Sequence, residues 1–322
     1  MNASPDARLQ RALASLEGLS VGDAFGEQFF LSFEMAKRIL VSDEFDVIPG
    51  MDEDEFLLRE LIDVRRLDFS TPIWRWTDDT ALALEIVAEL REHERILPAS
   101  LATRFSARYR KEPARGYGGA MHSLLPALTA QNWRASAQEL FDGQGSYGNG
   151  SAMRVPPLGA YFADDFDLLC EQAQLSAIVT HAHPEAIAGA IATAIAIALC
   201  AQMKDEGTDL EPHELLLQII ERTPESETRR RLIQCRDFPD HFTSEQVASH
   251  VGSGNLVACE DTVPFCCWCA AHENTHFSEA MWLTVAGLGD RDTTCAIVGG
   301  IVGAKLEAPD EWKARREALP GS

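Results

Sequence analysis

Two short acidic stretches, far apart in the 322-residue chain, carry the side chains best suited to chemistry. The first is WTDDT, residues 76–80; the second is GDRDTT, residues 289–294. Each sets two aspartates and adjacent threonines directly before an apolar run of helical period. One reading is capping, because Thr and Asp satisfy free backbone N–H groups and oppose the helix dipole. The other is half of a hard-metal site. Asp290 and Asp292 are two apart and would diverge on a helix, so they converge only in a turn, for which Gly287 and Gly289 supply the freedom. Adjacent Asp78 and Asp79 likewise converge only at a first helical turn. The combined set is four carboxylates with hydroxyls and no His or Cys, which favours Mg²⁺, Mn²⁺ or Ca²⁺ over Zn²⁺. Four negative charges would balance two divalent ions, and without cations they would repel one another. Either stretch alone reads as a cap; the pair favours metal.

A second feature is the glycine-dense segment around GSYGNGS, residues 145–151, which reads as irregular. Such a loop is either a plain connection or a nest of backbone N–H groups that receives an anion. The formal charge of −22 leaves few other ways to hold one. Anions must be met by metals, backbone N–H groups or a few placed cations, and the charge argues against a general nucleic-acid binder. Arg154, just after the loop, is either a phosphate contact or the partner of a carboxylate, and the structural role is favoured. Cys266 and Cys269 form a CxxC without a second pair at zinc-finger spacing, so a zinc site there is disfavoured.

The elements that must position these residues are helical. Ser4 and Pro5 read as N-cap and first residue of a helix, followed by Leu9, Leu13, Leu16 and Leu19. Leu82, Ile86, Val87 and Leu90 continue the first acidic stretch as an apolar stripe. Ser100, Ser136 and Ser244 mark further starts, Pro184 begins an Ala-rich helix, and residues 260–287 and 293–306 complete the set. Alternating strand patterns are nearly absent. Residues 31–75 read as an acidic surface excursion, and the DEDE run at 52–55 as a solvated face rather than a calcium loop. The Ala-rich run 186–202 reads as a buried helix rather than a membrane span. The N-terminus lacks the basic and apolar regions of a secretory signal. Eight scattered cysteines suit reduced thiols, and the cytoplasm is the expected location. The chain, 1–322, reads as a single domain.

The WTDDT and GDRDTT pair is similar to the metal motifs of the ADP-ribosylglycohydrolase family, which includes the dinitrogenase-reductase-activating glycohydrolases and the ADP-ribosylhydrolases. GLSVGDAFG (residues 18–26), the segment beginning GSYGNGSAMRVPP at residue 145, and THAHPEAIAGA (residues 180–190) match in order and approximate spacing. The resemblance implies an all-α orthogonal bundle with two Mg²⁺ or Mn²⁺ ions in a central cleft. It implies Thr77, Asp78, Asp79, Asp290, Asp292 and Thr293 as metal ligands. It implies phosphate and ribose contacts from Gly145, Ser146, Tyr147, Gly148, Asn149, Gly150 and Ser151, and places His181 near the substrate ribose. RGYGGA (residues 115–120) resembles a cleft-lining stretch, with Tyr117 the substrate contact and a helix-start turn the alternative. GSGN, with Gly252 and Gly254, resembles a loop on the adenine side, although Asn255 stands where the family often has an aromatic residue. Many members carry a Glu where this chain has Phe30, and Glu27 is the acidic residue offered instead. Asp23 is expected to orient the site through backbone hydrogen bonds.

What the resemblance implies is a metal-dependent hydrolase that cleaves the glycosidic bond between ADP-ribose and a modified acceptor, most readily a protein side chain. Asp290, Asp292 or Glu27 would accept a proton from water, and free ADP-ribose would be the product. Two other classes stay open: a non-catalytic ADP-ribose-binding or immunity protein on the same scaffold, and a metal-dependent nucleotide phosphoesterase.

Overall fold

The computed structural model describes residues 3–30, 53–63, 65 and 73–320. The described residues are helices and connecting loops, with two isolated β-bridges, Trp74 with Arg316 and Gly148 with Ala258. The expected excursion at 31–75 lies largely outside the described residues. Its described part corrects the expectation of irregularity, because Glu53–Asp63 is a helix.

A stripe of glycines sets the geometry that matters for the site. The helix Pro5–Glu27 is capped by Ser4 Oγ, which accepts from Ala7 N at 3.3 Å. Along it Gly18, Gly22 and Gly26 recur every four residues, one face of a helix. That face lies directly on the backbone of Arg291–Gly303: a Cβ on these three would stand 2.3, 2.1 and 2.2 Å from the carbonyl oxygens of Gly299, Cys295 and Arg291. No side chain fits between the two helices. Their contact therefore presses Asp23, on the first helix, toward the start of the helix that carries Asp292.

The helix Asp78–His93 packs against the same pair, with Leu82, Ile86 and Leu90 buried, and ends where Glu94 turns left-handed. The Ala-rich helix runs Pro184–Glu206. It is long and apolar enough to cross a membrane, but 89% of its apolar window is buried inside the fold. Small alanines let neighbouring helices approach it closely, which is a packing role. Phe25 stacks on Trp312 at 4.7 Å and meets Trp74 and Trp282 edge-on, closing the core at the end of the first helix.

Several boundaries differ from the sequence reading. Residues 260–287 are two helices, Cys259–His272 and Phe277–Val285. The start signals at Ser100, Ser136 and Ser244 lie inside helices that begin at Pro98, Trp133 and, one residue after the true cap Thr243, at Ser244 itself. The glycine-dense segment is less irregular than its composition suggests, since Gly150–Met153 and Pro156–Tyr161 are short helices. Proline at the first positions of the second starts it despite the nearby glycines. Seven of the eight cysteines are buried and all are free. Cys266 and Cys269 sit inside a buried helix, where desolvation pushes both thiols up and keeps them protonated.

Candidate functional site

Asp23 joins the first helix to the Asp78 helix. Its carboxylate accepts from the backbone N–H of Thr77 (2.9 Å) and of Thr80 (3.1 Å), and from the hydroxyls of Thr77 (2.9 Å) and Thr80 (2.5 Å). Free N–H groups at a helix start are natural donors to an anion. The expected backbone role of Asp23 thus extends to two hydroxyls. Thr77 also caps the helix, accepting from Asp79 N at 3.4 Å, so the capping reading of that residue is correct as far as it goes.

The second acidic stretch arrives from the Arg291–Gly303 helix. Asp79 Oδ2 lies 3.4 Å from Thr293 Oγ1 and 3.0 Å from Thr77 Oγ1, whose single proton is shared between this oxygen and Asp23. Asp79 Oδ1 is buried without a partner. Asp290 occupies the N-cap position but caps nothing with its side chain; Asn149 of the glycine-rich loop donates to it at 2.8 Å. Residues 76–80 and 289–294 therefore meet, as the spacing argument requires.

Burial and mutual repulsion act together on these carboxylates. Desolvation first, then the neighbouring Asp23, pushes Asp78 up to about 8. Asp79 is raised well above the ordinary range by burial, Asp23 and Asp292. Asp292 is raised by burial, Asp290 and Asp23. Asp23 itself is pushed up to about 6 by desolvation, opposed by its four donors. Among the described residues, however, no three His, Cys, Asp or Glu side chains stand together at metal-binding geometry. The aspartates share a field rather than a closed cage.

A cleft of about 410 Å³ opens beside them, lined on the acidic side by Asp78, Asp290, Asp292 and Thr293. The glycine-rich loop lines it too, through Ser146, Tyr147, Gly148, Asn149 and Gly150, together with His181. His181 is buried, its Nδ1 is 2.7 Å from Thr180 Oγ1, and desolvation holds the ring neutral. The loop is fixed from outside by Cys259 N donating to Tyr147 O and Asn149 N donating to Val257 O, both at 3.0 Å.

Other expected contacts lie behind the lining. Gly145 abuts His183 N and Ala182, and Ser151 is buried, donating to Ala186 O. Tyr117 is buried behind Gly116 and Gly118, with its hydroxyl unpartnered and its ring 5.0 Å from Tyr109. A Cβ on Gly254 would reach Asp290 Cβ at 2.5 Å, and one on Gly252 would strike Asp261, so both support the site from behind. Glu27 ends the first helix beside the lining, between the charges of Arg75 and Arg291. It is close enough to add to the shift of Asp78.

Sequence reasoning missed an apolar lip. Phe141 (51% exposed), Leu256 (70%) and Val257 line the cleft mouth with Tyr147. The Phe141 and Tyr147 rings are 6.0 Å apart. Phe141 and Val257 both have positive φ, a conformation that bulky and β-branched residues avoid. No periodicity marks such residues; only their coordinates show them side by side.

A family model described as ADP-ribosylglycohydrolase matches residues 4–320. The chain belongs to that family. Among curated relatives, the Xenopus tropicalis ADP-ribosylhydrolase ARH3 is 27% identical over 97% of this chain and 92% of its own length. The human ADP-ribosylhydrolase ARH3 is 29% identical over 74% of this chain and 73% of its own. A solved structure titled ADP-ribosylglycohydrolase-related protein complex superposes with a TM-score of 0.56 at 21% identity, covering 95% of this chain and 92% of that one. That likeness speaks for the shared all-helical fold of the ADP-ribosylglycohydrolases.

Proposed function

We propose that this ADP-ribosylglycohydrolase-family chain hydrolyses the glycosidic bond between ADP-ribose and a modified acceptor, most readily a protein side chain. One observation carries the reading: two acidic stretches more than 200 residues apart meet in one cleft with a glycine-rich loop, joined by Asn149 and Asp290. Acid and backbone donors lining one cleft suit a ligand with a ribose at one end and a diphosphate in the middle.

The residues fit divalent cations. The donor set is oxygen only, Asp79 Oδ1 is buried without a partner, and the aspartates raise one another's pKa. We assign Thr77, Asp78, Asp79, Asp290, Asp292 and Thr293 as the residues that would hold two Mg²⁺ or Mn²⁺ ions, as family membership suggests. Bound there, the metals would supply acidified water and charge stabilisation at the anomeric carbon.

This chain's own groups do the rest. Asp23 fixes Thr77 and the first turn of its helix, so that Asp78 and Asp79 are aimed before ligand arrives. Asn149 N is spent on Val257 O and Gly148 N on Ser146 Oγ, so the N–H groups of Tyr147 and Gly150 are the ones left to meet a diphosphate, with neutral His181 offering a ring nitrogen nearby. The exposed faces of Phe141 and Tyr147 offer stacking to a purine base at the cleft mouth. Asp290, Asp292 or Glu27 would accept the proton from water.

Product analysis on a panel of ADP-ribosylated acceptors tests the proposal. Free ADP-ribose with regenerated acceptor is expected. AMP would indicate diphosphate cleavage, and binding without turnover would indicate a non-catalytic receptor; either result rejects it.

A further inference from the structure

Beneath the glycine-rich loop lies a guanidinium that no carboxylate accompanies. Arg154 is fully buried, one residue past the short Gly150–Met153 helix. Its Nη1 donates to Gly150 O at 2.9 Å and its Nη2 to Ser176 O at 2.8 Å. Its Nε has no partner, and its Cζ lies 4.7 Å from the centroid of the Phe105 ring. Among the described residues no Asp or Glu forms an ion pair with it. The fold treats other enclosed arginines differently: Arg115 is paired with Glu112 and Glu317, and Arg108 with Glu85 and Glu112.

A buried charge without a counter-ion is costly unless something compensates it. This chain has 50 acidic residues to spend, and none is placed here. The ionisable neighbours are His181 and Cys259, and desolvation disfavours the charged form of each. Burial pulls Arg154 down to about 9, which leaves it charged at neutral pH. Gly150, whose carbonyl it holds, lines the cleft. At neutral pH a positive charge therefore sits one backbone carbonyl behind the wall that faces the ligand.

We propose that Arg154 is the positive floor of the anion subsite: a positioning residue that draws the Gly150 carbonyl inward and whose missing counter-ion is the diphosphate of the bound ligand. This rests on the reading that the cleft takes ADP-ribose. Two effects follow from one side chain. The carbonyl is turned from the anion while neighbouring N–H groups stay available to it, and the low-dielectric interior carries the cation's field to the cleft.

The test compares ADP-ribose with adenosine, which shares the base and first ribose but lacks the diphosphate, by calorimetry at fixed Mg²⁺. Wild type is expected to prefer ADP-ribose. Arg154→Met, similar in bulk but uncharged, should lose about tenfold or more of that preference while adenosine affinity holds. Arg154→Lys should keep the preference near about pH 6 and lose it by about pH 8, below the value at which Arg154 itself titrates, as a buried ammonium gives up its proton. Wild type measured at each pH cancels every other titration. Equal loss of both ligands in Arg154→Met would show that Arg154 only shapes the loop, and would overturn the proposal. If that variant does not fold, Arg154→Lys decides: a preference that tracks wild type at every pH overturns it too. A wild type with no preference for ADP-ribose would instead defeat the functional reading, and is seen before any substitution is made.

Discussion

Asn149 Nδ2 lies 2.8 Å from Asp290 Oδ2, and this hydrogen bond fastens the glycine-rich loop to the acidic wall. The same amide nitrogen lies 3.1 Å from Thr262 Oγ1. One side chain thus sets the spacing between the two halves of the cleft. If Asp290 holds a metal as proposed, Asn149→Ala should lower kcat/KM roughly 10- to 100-fold, with about 1 kcal/mol of stability lost. Steady-state kinetics and denaturant melts on one preparation check this. Unchanged kcat/KM would mean that the loop holds its place without Asp290.

Asp23 is the opposite case, an anion whose partners are all structural. In Asp23→Asn the amide group would face N–H and O–H donors that now have one oxygen to share. A loss of about 2 kcal/mol is expected, with activity falling because Thr77 and the first turn of its helix lose their anchor. Chemical denaturation measures the first effect. Wild-type stability in the variant would show that the hydroxyls simply turn to other acceptors.

Asp292→Asn separates a metal role from a capping role. Turnover should fall by orders of magnitude. The melting temperature in excess EDTA should stay level or rise, because one of several repelling carboxylates is gone. A capping aspartate predicts retained turnover and about 1 kcal/mol lost.

The raised carboxylates give a signed pH dependence for the metal-free protein. Unfolded, each aspartate titrates near its ordinary value of about 4. Folded, Asp23 titrates at about 6 and Asp78 at about 8, with Asp79 and Asp292 also raised. The folded state therefore holds more protons, and their contribution, full below the unfolded pKa, is lost as pH rises through the folded values. In EDTA, the melting temperature should drop between about pH 5 and about pH 8, and the drop should shrink in Asp78→Asn. Added Mg²⁺ should restore stability at the upper end. An Asp78→Asn profile parallel to wild type would contradict the assignment.

Gly18→Val probes the helix contact beneath the site. A Cβ there would stand 2.3 Å from Gly299 O, so the first helix must move off its partner. About 3 kcal/mol or more should be lost. Activity should fall with it even in folded protein, because Asp23 rides on the displaced helix. A thermal melt with activity measured well below the transition distinguishes the two effects.

The sequence by itself determined the helical class, the first helix from its Ser4 cap and Pro5, and the oxygen-only chemistry of the two aspartate stretches. These are local properties: caps, periodicity and ligand type are written within a few residues of chain. It also marked the glycine-rich loop, since few anion holders remain in a chain of charge −22. Tertiary structure alone decided which groups meet. That Asp23 takes four donors from the next acidic stretch depends on a glycine face that lets two helices touch. That Tyr117 and Ser151 sit behind the lining, while Phe141 and Val257 reach the cleft mouth, depends on loop paths and positive φ values that no periodicity encodes. The same holds for Arg154, because the sequence names a cation there and only packing shows that its counter-ion is missing. Residue type sets what a side chain can do; burial and the company it keeps, which are properties of the whole chain, set which of those things it does.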